Sequence, residues 1–209
     1  RPCRYPAFAM CGMQNIDSAY CRSRGIRLYN SPEGNRDAVG EHAVGLLLAL
    51  MNNLPRADRE VRQGIWDRAA NSGHELGGST VGIIGFGQMG TSFAQRLQGF
   101  GVRILAHDKY RSAFGNETIE EAPLETVLKE SDVISLHLPL TPETEHYVNA
   151  EFLARCADPI WFVNTARGPL VDTKALLDAI DAGRVLGAGL DVLEYEERSL
   201  KDLSGNTND

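Results

Sequence analysis

The chain has 209 residues, 43% of them hydrophobic and 23% charged, enough apolar material for an ordinary core and for about one domain plus part of another. Its formal net charge is −7 and its isoelectric point about 5.3, so bulk charge recruits neither nucleic acid nor an anionic membrane. The most apolar run, Ala43 to Met51, is far short of the roughly 20 residues a bilayer requires, and small molecules or another protein are the expected partners.

Residues 1–30 read as the tail of a separate unit: a loop around Cys11-Gly12-Met13, a short helix near Ile16 to Arg24 and a strand from Ile26 to Tyr29. A strand without partners is not stable alone, which implies further chain upstream. After a turn-rich stretch, Ser31 to Asn35, a long helix is expected from about Asp37 to Leu54, stopped by Pro55. It is apolar nearly all round from Ala43 to Met51, as a helix buried between two domains or two subunits would be. A second helix, Arg56 to Gln63, puts Ala57 and Val61 on one stripe and Arg56, Arg59 and Arg62 on a solvated face. Trp66 follows as a core or interface residue.

From Thr80 strand and helix patterns alternate. Strands read at Val81–Ile84, Val102–Ala106, Val133–Leu138, Ile160–Asn164 and Leu186–Leu190, which is the signature of a doubly wound parallel sheet in an α/β protein. The helix Asp172 to Ala182 fits this register: Asp172 or Thr173 caps it, Leu176, Leu177 and Ile180 face the sheet, and Gly183 takes the left-handed position after its end.

Between the first strand and a helix from Met89 to Phe100 lies Gly85-Phe86-Gly87-Gln88-Met89-Gly90. Gly85 permits the tight turn, Gly87 leaves the backbone open to a pyrophosphate, and Gly90 allows close packing of helix on sheet. The helix start then offers free N–H groups and a positive dipole end to phosphate. Asp108, closing the next apolar run, is placed to accept hydrogen bonds from an adenosine ribose and to repel a 2′-phosphate. That favours NAD over NADP, although Lys109 and Arg111 stand close by. The plain alternative is a glycine-rich turn without a ligand.

Ligands of an open parallel sheet lie beyond the carboxyl ends of its strands. Three such ends are unusual: Pro139-Leu140-Thr141-Pro142, Asn164-Thr165-Ala166-Arg167-Gly168, and Asp191 followed by Glu194, Glu196 and Glu197. Arg167 can bind a carboxylate through two parallel N–H bonds, or can be a surface arginine paired with a neighbour such as Asp172. The acidic run Glu194 to Glu197, taken alone, reads as solvated. Cys3, Cys11, Cys21 and Cys156 form no C-x-x-C pair and share no metal-ligand spacing with the five histidines, so reduced thiols in a cytosolic protein and no metal are expected.

Gly85 to Gly90, His137-Leu138-Pro139-Leu140-Thr141, Asn164 to Gly168 and Gly189-Leu190-Asp191-Val192 together resemble the D-isomer-specific 2-hydroxyacid dehydrogenase family, over about Gly12 to Glu197. The resemblance implies a Rossmann domain at 77–209, the remnant of a flavodoxin-like substrate domain at 1–31, and interdomain or dimerisation helices at 32–76. It implies that Arg167 orients the substrate's carboxylate and that Glu196 pairs with a catalytic histidine. By the same resemblance Gln88, Met89, Leu138, Pro139, Thr144, Thr165 and Ala166 would line the cofactor groove, Asp191 would approach the nicotinamide, and the loop at Cys11 and Gly12 would hold the substrate carboxylate. NAD is the implied cofactor, a homodimer the implied assembly and the cytoplasm the implied location.

The family's histidine follows its glutamate by some two dozen residues in a Pro-His context, and this chain ends at Asp209. His107 and His137 read as structural instead, and the chain is expected to be a fragment that binds NAD weakly and turns over nothing by itself. The implied reaction is hydride transfer between a D-2-hydroxy acid, or its 2-oxo acid, and NAD. Gly34 to His42 resembles phosphoglycerate dehydrogenases, and Leu193 to Glu196 resembles D-lactate and D-2-hydroxyisocaproate dehydrogenases. A formate dehydrogenase is disfavoured, since that branch has glutamine where Glu196 stands. An NAD-responsive corepressor is the alternative of another class.

Overall fold

The computed structural model describes residues 16–29, 31–157 and 159–195. Among them six parallel strands form one sheet: β1 (Thr80–Ile84), β2 (Arg103–His107), β3 (Ile119–Glu121), β4 (Val133–Leu136), β5 (Ile160–Asn164) and β6 (Val185–Leu190). Their order is β3-β2-β1-β4-β5-β6, that of the doubly wound dinucleotide-binding fold, with the reversal of strand order between β1 and β4. β1, β4 and β5 are apolar runs because helices cover both faces of the sheet.

The helices are α1 (Ser18–Ser23), α2 (Arg36–Met51), α3 (Leu54–Arg62), α4 (Gln88–Leu97), α5 (Leu124–Glu130), α6 (Ala150–Ala154) and α7 (Thr173–Asp181). Alternation along β1 divides the core. Val81 and Ile83 join Leu47, Met51, Phe93 and Leu97 from α2 and α4 on one face. Ile84 joins Val127, Leu128, Phe152 and Leu176 from α5, α6 and α7 on the other. Each fully buried Leu, Met or Phe contributes about 1.5–3 kcal/mol.

The long apolar helix α2 therefore belongs to the sheet's own packing. Ala43, Leu47 and Met51 are buried, and its contact with β6 depends on two glycines. A Cβ at Gly187 would stand 2.9 Å from Leu50 Cδ1, and one at Gly189 2.8 Å from Leu46 Cγ. Bare backbone on β6 is what lets α2 lie so close.

Four expectations change. Pro55 does not stop α2: the helix ends at Met51, Asn53 takes a left-handed φ of 52°, and Pro55 sits in the first turn of α3, where its missing N–H costs nothing. The strand expected at Ile26 to Tyr29 does not form among the described residues, where only Tyr29 makes a bridge, because a ladder needs a paired neighbour. β3 went unforeseen, being three residues of which two are glutamates; it is an edge strand held by a two-pronged ion pair from Arg103 to Glu120. On α7 the inner face is Ala175, Leu176 and Ala179, with Ile180 at its margin; Leu177 is 55% exposed, one residue round the helix from Leu176. The Asp172 carboxylate caps that helix by accepting the Ala175 N–H, and Gly183 follows it at φ +71°.

Candidate functional site

The ends of three strands, β1, β4 and β5, and the start of α2 enclose an open groove of about 290 Å³. Its first wall is the turn after β1. Gly85 has φ +94°, and a Cβ there would sit 2.5 Å from the His137 carbonyl oxygen, so conformation and space both exclude a side chain. A Cβ on Gly90 would run into the Gly85 carbonyl oxygen and lie 3.2 Å from Ile83 Cγ2. Gly87, by contrast, opens on free space. It is the extended N-cap residue of α4, which has no side-chain cap, and Gly87, Gln88 and Met89 line the groove. The first N–H groups of α4 are thus available to an anion.

Asp108 stands one residue beyond β2, and its carboxylate is fixed by three backbone N–H groups. Oδ2 accepts from Phe86 at 2.8 Å; Oδ1 accepts from Tyr110 at 2.9 Å and Arg111 at 3.0 Å. Three of roughly four lone-pair positions are used, which ties the end of β2 to the glycine turn and leaves one for a further donor. His107 is turned away, its Nδ1 bonded to the Ala122 carbonyl at 3.1 Å.

The second wall, after β4, is His137, Leu138 and Pro139. The His137 ring packs on Phe93 with centroids 5.2 Å apart and shares a 3.0 Å hydrogen bond between Nε2 and Ser135 Oγ. Burial pushes its pKa down to about 4, so at neutral pH the imidazole is uncharged. Thr144 does not line the groove; its hydroxyl donates to the Pro139 carbonyl at 2.7 Å and accepts the Thr141 N–H at 2.8 Å, which holds that wall in shape.

Thr165, Ala166 and Arg167 form the third wall, and Asn164 shapes it. The fully buried Asn164 accepts the Ala166 N–H at 3.0 Å and donates to the Arg167 carbonyl at 2.9 Å. Arg167 is half-buried, with Nη1 2.5 Å from the Ala166 carbonyl. Thr165 Oγ1 is buried and has no partner among the described residues, as a hydroxyl awaiting a ligand would be. Asn35 and Val39 of the α2 start close the groove opposite.

Asp191 stays outside the lining: its N–H donates to the Asn164 carbonyl at 3.0 Å and its carboxylate lies 3.1 Å from His42 Nε2. Glu194 is no solvated residue. Only 9% of its side chain is exposed, and it takes hydrogen bonds from His146 Nε2 at 2.7 Å and from the Thr173 N–H at the start of α7 at 2.9 Å. Burial works against the charge, yet the bonds from Thr173 and His146 hold its pKa below the ordinary carboxylate value. The segment containing Glu194 packs tightly, since a Cβ on Gly168 would run into the Leu193 carbonyl oxygen.

The structure thus gathers Gly87, Gln88, Met89, Leu138, Pro139, Thr165, Ala166 and Arg167 on one groove, frames it with Gly85 and Gly90, and sets Asp108, Thr144 and Asp191 at its margins. Cys11, Gly12 and Glu196 lie outside the described residues. Sequence reasoning missed Asn35 and Val39, which gave no signal, and the scaffold role of Asn164, whose polarity at the end of an apolar run was the available clue. Among the described residues no group of three or more His, Cys, Asp or Glu is arranged to hold a metal, and no helix is long and apolar enough to cross a membrane.

Residues 44–207 match the family model for the D-isomer specific 2-hydroxyacid dehydrogenase, NAD binding domain. Hydroxypyruvate reductase of Thermotoga maritima is 41% identical over 190 residues, 91% of this chain and 62% of that protein. D-3-phosphoglycerate dehydrogenase of Mycobacterium tuberculosis is 42% identical over 192 residues, covering 91% of this chain and 36% of the relative. The structure of D-lactate dehydrogenase from Aquifex aeolicus complexed with NAD and lactic acid superposes with a TM-score of 0.84 at 34% identity, over 98% of this chain and 62% of that one.

Proposed function

The chain belongs to the D-isomer specific 2-hydroxyacid dehydrogenase family, and from that premise we propose that it is the cofactor-binding part of an oxidoreductase acting between a D-2-hydroxy acid, or its 2-oxo acid, and NAD. It spans 62% of the length of its hydroxypyruvate reductase relative. The observation that carries the reading is the continuity of one groove from the α4 start to Arg167.

The residues fit a dinucleotide. The bare turn and uncapped α4 start suit the pyrophosphate, Asp108 keeps one acceptor position for a ribose hydroxyl, and the buried Thr165 hydroxyl has no partner among the described residues. A bound nicotinamide supplies the hydride acceptor or donor. This chain's residues bind and orient: Arg167 holds the substrate carboxylate through paired N–H bonds and so orients the reacting carbon, while Leu138, Pro139 and Ala166 keep that end of the groove apolar.

His137 is the only imidazole among the described groove residues, and it is unsuited as the base. A catalytic base works best with a pKa near the operating pH, and His137 lies well below, with Nε2 already bonded. We place proton transfer outside the described residues, with Glu196 positioning the group responsible. Arg167 is also the only lysine or arginine among the described lining residues, which accounts for one carboxylate and not for an added phosphate. Relatives named for hydroxypyruvate and for phosphoglycerate are equally near, at 41% and 42%, so overall similarity does not choose between those two substrates.

Residues 1–31 are assigned to the substrate domain, 32–76 to connecting and dimer-forming helices and 77–209 to the NAD domain. Free, buried Cys21 and Cys156 suit a reducing cytoplasm, and a homodimer is the proposed assembly. The test is NADH oxidation by the whole enzyme against a panel of 2-oxo acids, with Arg167→Lys beside wild type. Arg167→Lys is expected to lose about a hundredfold or more in kcat/KM with NADH binding kept. Unchanged turnover in that variant, or no turnover of any 2-oxo acid by wild type, overturns the assignment.

A further inference from the structure

Two cations, Lys109 and Arg111, follow Asp108 within three residues. A dinucleotide with a 2′-phosphate sets that phosphate against the Asp108 carboxylate, and a lysine or arginine free to turn toward it offsets the repulsion. Here neither is free. The Arg111 guanidinium donates to the Phe86 carbonyl and lies 6.0 Å from the Phe86 ring centroid and 5.8 Å from that of Phe114, two rings stacked at 4.6 Å. Arg111 is therefore bound into the glycine turn itself.

Lys109 is held differently, by a residue from another strand end. Its Nζ donates to Glu143 Oε1 at 2.7 Å, and the Tyr110 hydroxyl donates to Glu143 Oε2 at 2.8 Å. One carboxylate in the loop after β4 thus takes both side chains of the loop after β2. The backbone of that second loop is already curled round Asp108, whose Oδ1 accepts from Tyr110 and Arg111, so the loop has little freedom to re-aim its cations.

Resting on the reading of Asp108 as the ribose-binding carboxylate, we propose that Glu143 is a selectivity residue for the dinucleotide. By holding Lys109 and Tyr110 across to the β4 loop, it withholds from the ribose 2′ position the cation that a 2′-phosphate needs. A 2′-hydroxyl needs no cation and is unaffected. Lys109 and Glu143 are 61% and 60% exposed, so the restraint is modest and its release shifts affinity several-fold rather than by orders of magnitude.

The experiment is fluorescence titration of the whole enzyme with NADH and with NADPH at low ionic strength, for wild type, Glu143→Gln, and Glu143→Gln combined with Lys109→Met. Glu143→Gln is expected to tighten NADPH about fivefold while NADH stays within about twofold, and Lys109→Met to abolish the gain. A ratio of NADPH to NADH affinity that Glu143→Gln leaves unmoved, in a wild type that binds NADH, overturns the inference and spares the cofactor reading. So does a gain that survives Lys109→Met. A wild type that binds neither nucleotide overturns the cofactor reading, and the inference falls with it.

Discussion

The turn between β1 and α4 and the arm from α3 to residue 72 are built on opposite principles. In the turn, the position of nearly every atom is forced: Gly85 by φ and by the His137 carbonyl, Gly90 by the Gly85 carbonyl, and the Asp108 carboxylate by three N–H groups. In the arm every residue from 61 to 70 is exposed, Trp66 by 81%. Among the described residues the arm is tied to the rest of the molecule at its ends, where Asn53 donates to the Ser72 carbonyl and His74 N–H to the Met51 carbonyl. Local backbone geometry determines the turn, whereas the arm's apolar residues have no function within the described residues of a single copy.

The largest effect belongs to the turn. Gly90→Ala places a methyl group on the Gly85 carbonyl, backbone against backbone, where no rotamer change relieves it. The expected loss is about 3 kcal/mol or more by denaturant unfolding, with NADH binding abolished in whatever folds. Gly87→Ala is the control, because the same methyl there meets nothing within 4 Å. It is expected to cost less than about 1 kcal/mol of stability and to weaken NADH binding. Equal stability losses in the two variants would break the contrast drawn above.

What was legible in the sequence follows the same division. β1, β4, β5, the glycine turn and the capped α7 were readable because each is fixed by neighbours within a few residues: apolar runs, glycines, and Asp172 at a helix start. β3 was not, since its pairing with β2 and its ion pair to Arg103 are tertiary and its three residues carry no period. Leu177 misled because three apolar residues on a short helix do not say which two face inward. Glu194 was hidden in an acidic run; its partner His146 is 48 residues away and appears only when the loops meet. Asn35 and Val39 reach the groove by the packing of α2 on α4, where the Ser92 hydroxyl donates to the Arg36 carbonyl 56 residues distant.

A second, smaller effect sharpens the turn side. The His137 ring sits beneath the turn, and its pKa of about 4 is below the ordinary 6.5 because burial penalises the charged form. Between those values the unfolded chain binds a proton that the native state does not, so stability is full above about pH 6.5 and falls as pH drops toward 4. The expected loss by pH 4 is about 3 kcal/mol. Glu194, whose pKa is lowered, adds a further loss only at lower pH, as its carboxylate protonates. His137→Gln is expected to flatten the pH 6.5 to 4 portion alone, read by thermal unfolding at each pH. An unchanged slope would mean that water reaches the ring and that the turn's interior is wetter than its geometry implies.

The smallest effect on stability belongs to the arm, and there a null result is the informative one. Leu54, Val61, Ile65 and Trp66 are 55%, 53%, 48% and 81% exposed on one helix and the loop that follows it. The polar side of that helix is held by pairs such as Arg62 to Asp58 at 2.8 Å, which at this exposure contribute little. An indole that touches so little of its own chain has little to lose on truncation, so Trp66→Ser is expected to change monomer unfolding by less than about 0.5 kcal/mol. A buried tryptophan at an interface behaves otherwise, because aromatic anchors of that kind carry much of the association energy. The same variant should therefore shift self-association toward monomer by tenfold or more in light scattering across a micromolar dilution series, about 1.4 kcal/mol. A large stability loss with association unchanged would place Trp66 in the core of its own subunit, and the contrast between a turn specified locally and an arm left exposed in the single copy would fail on the arm's side.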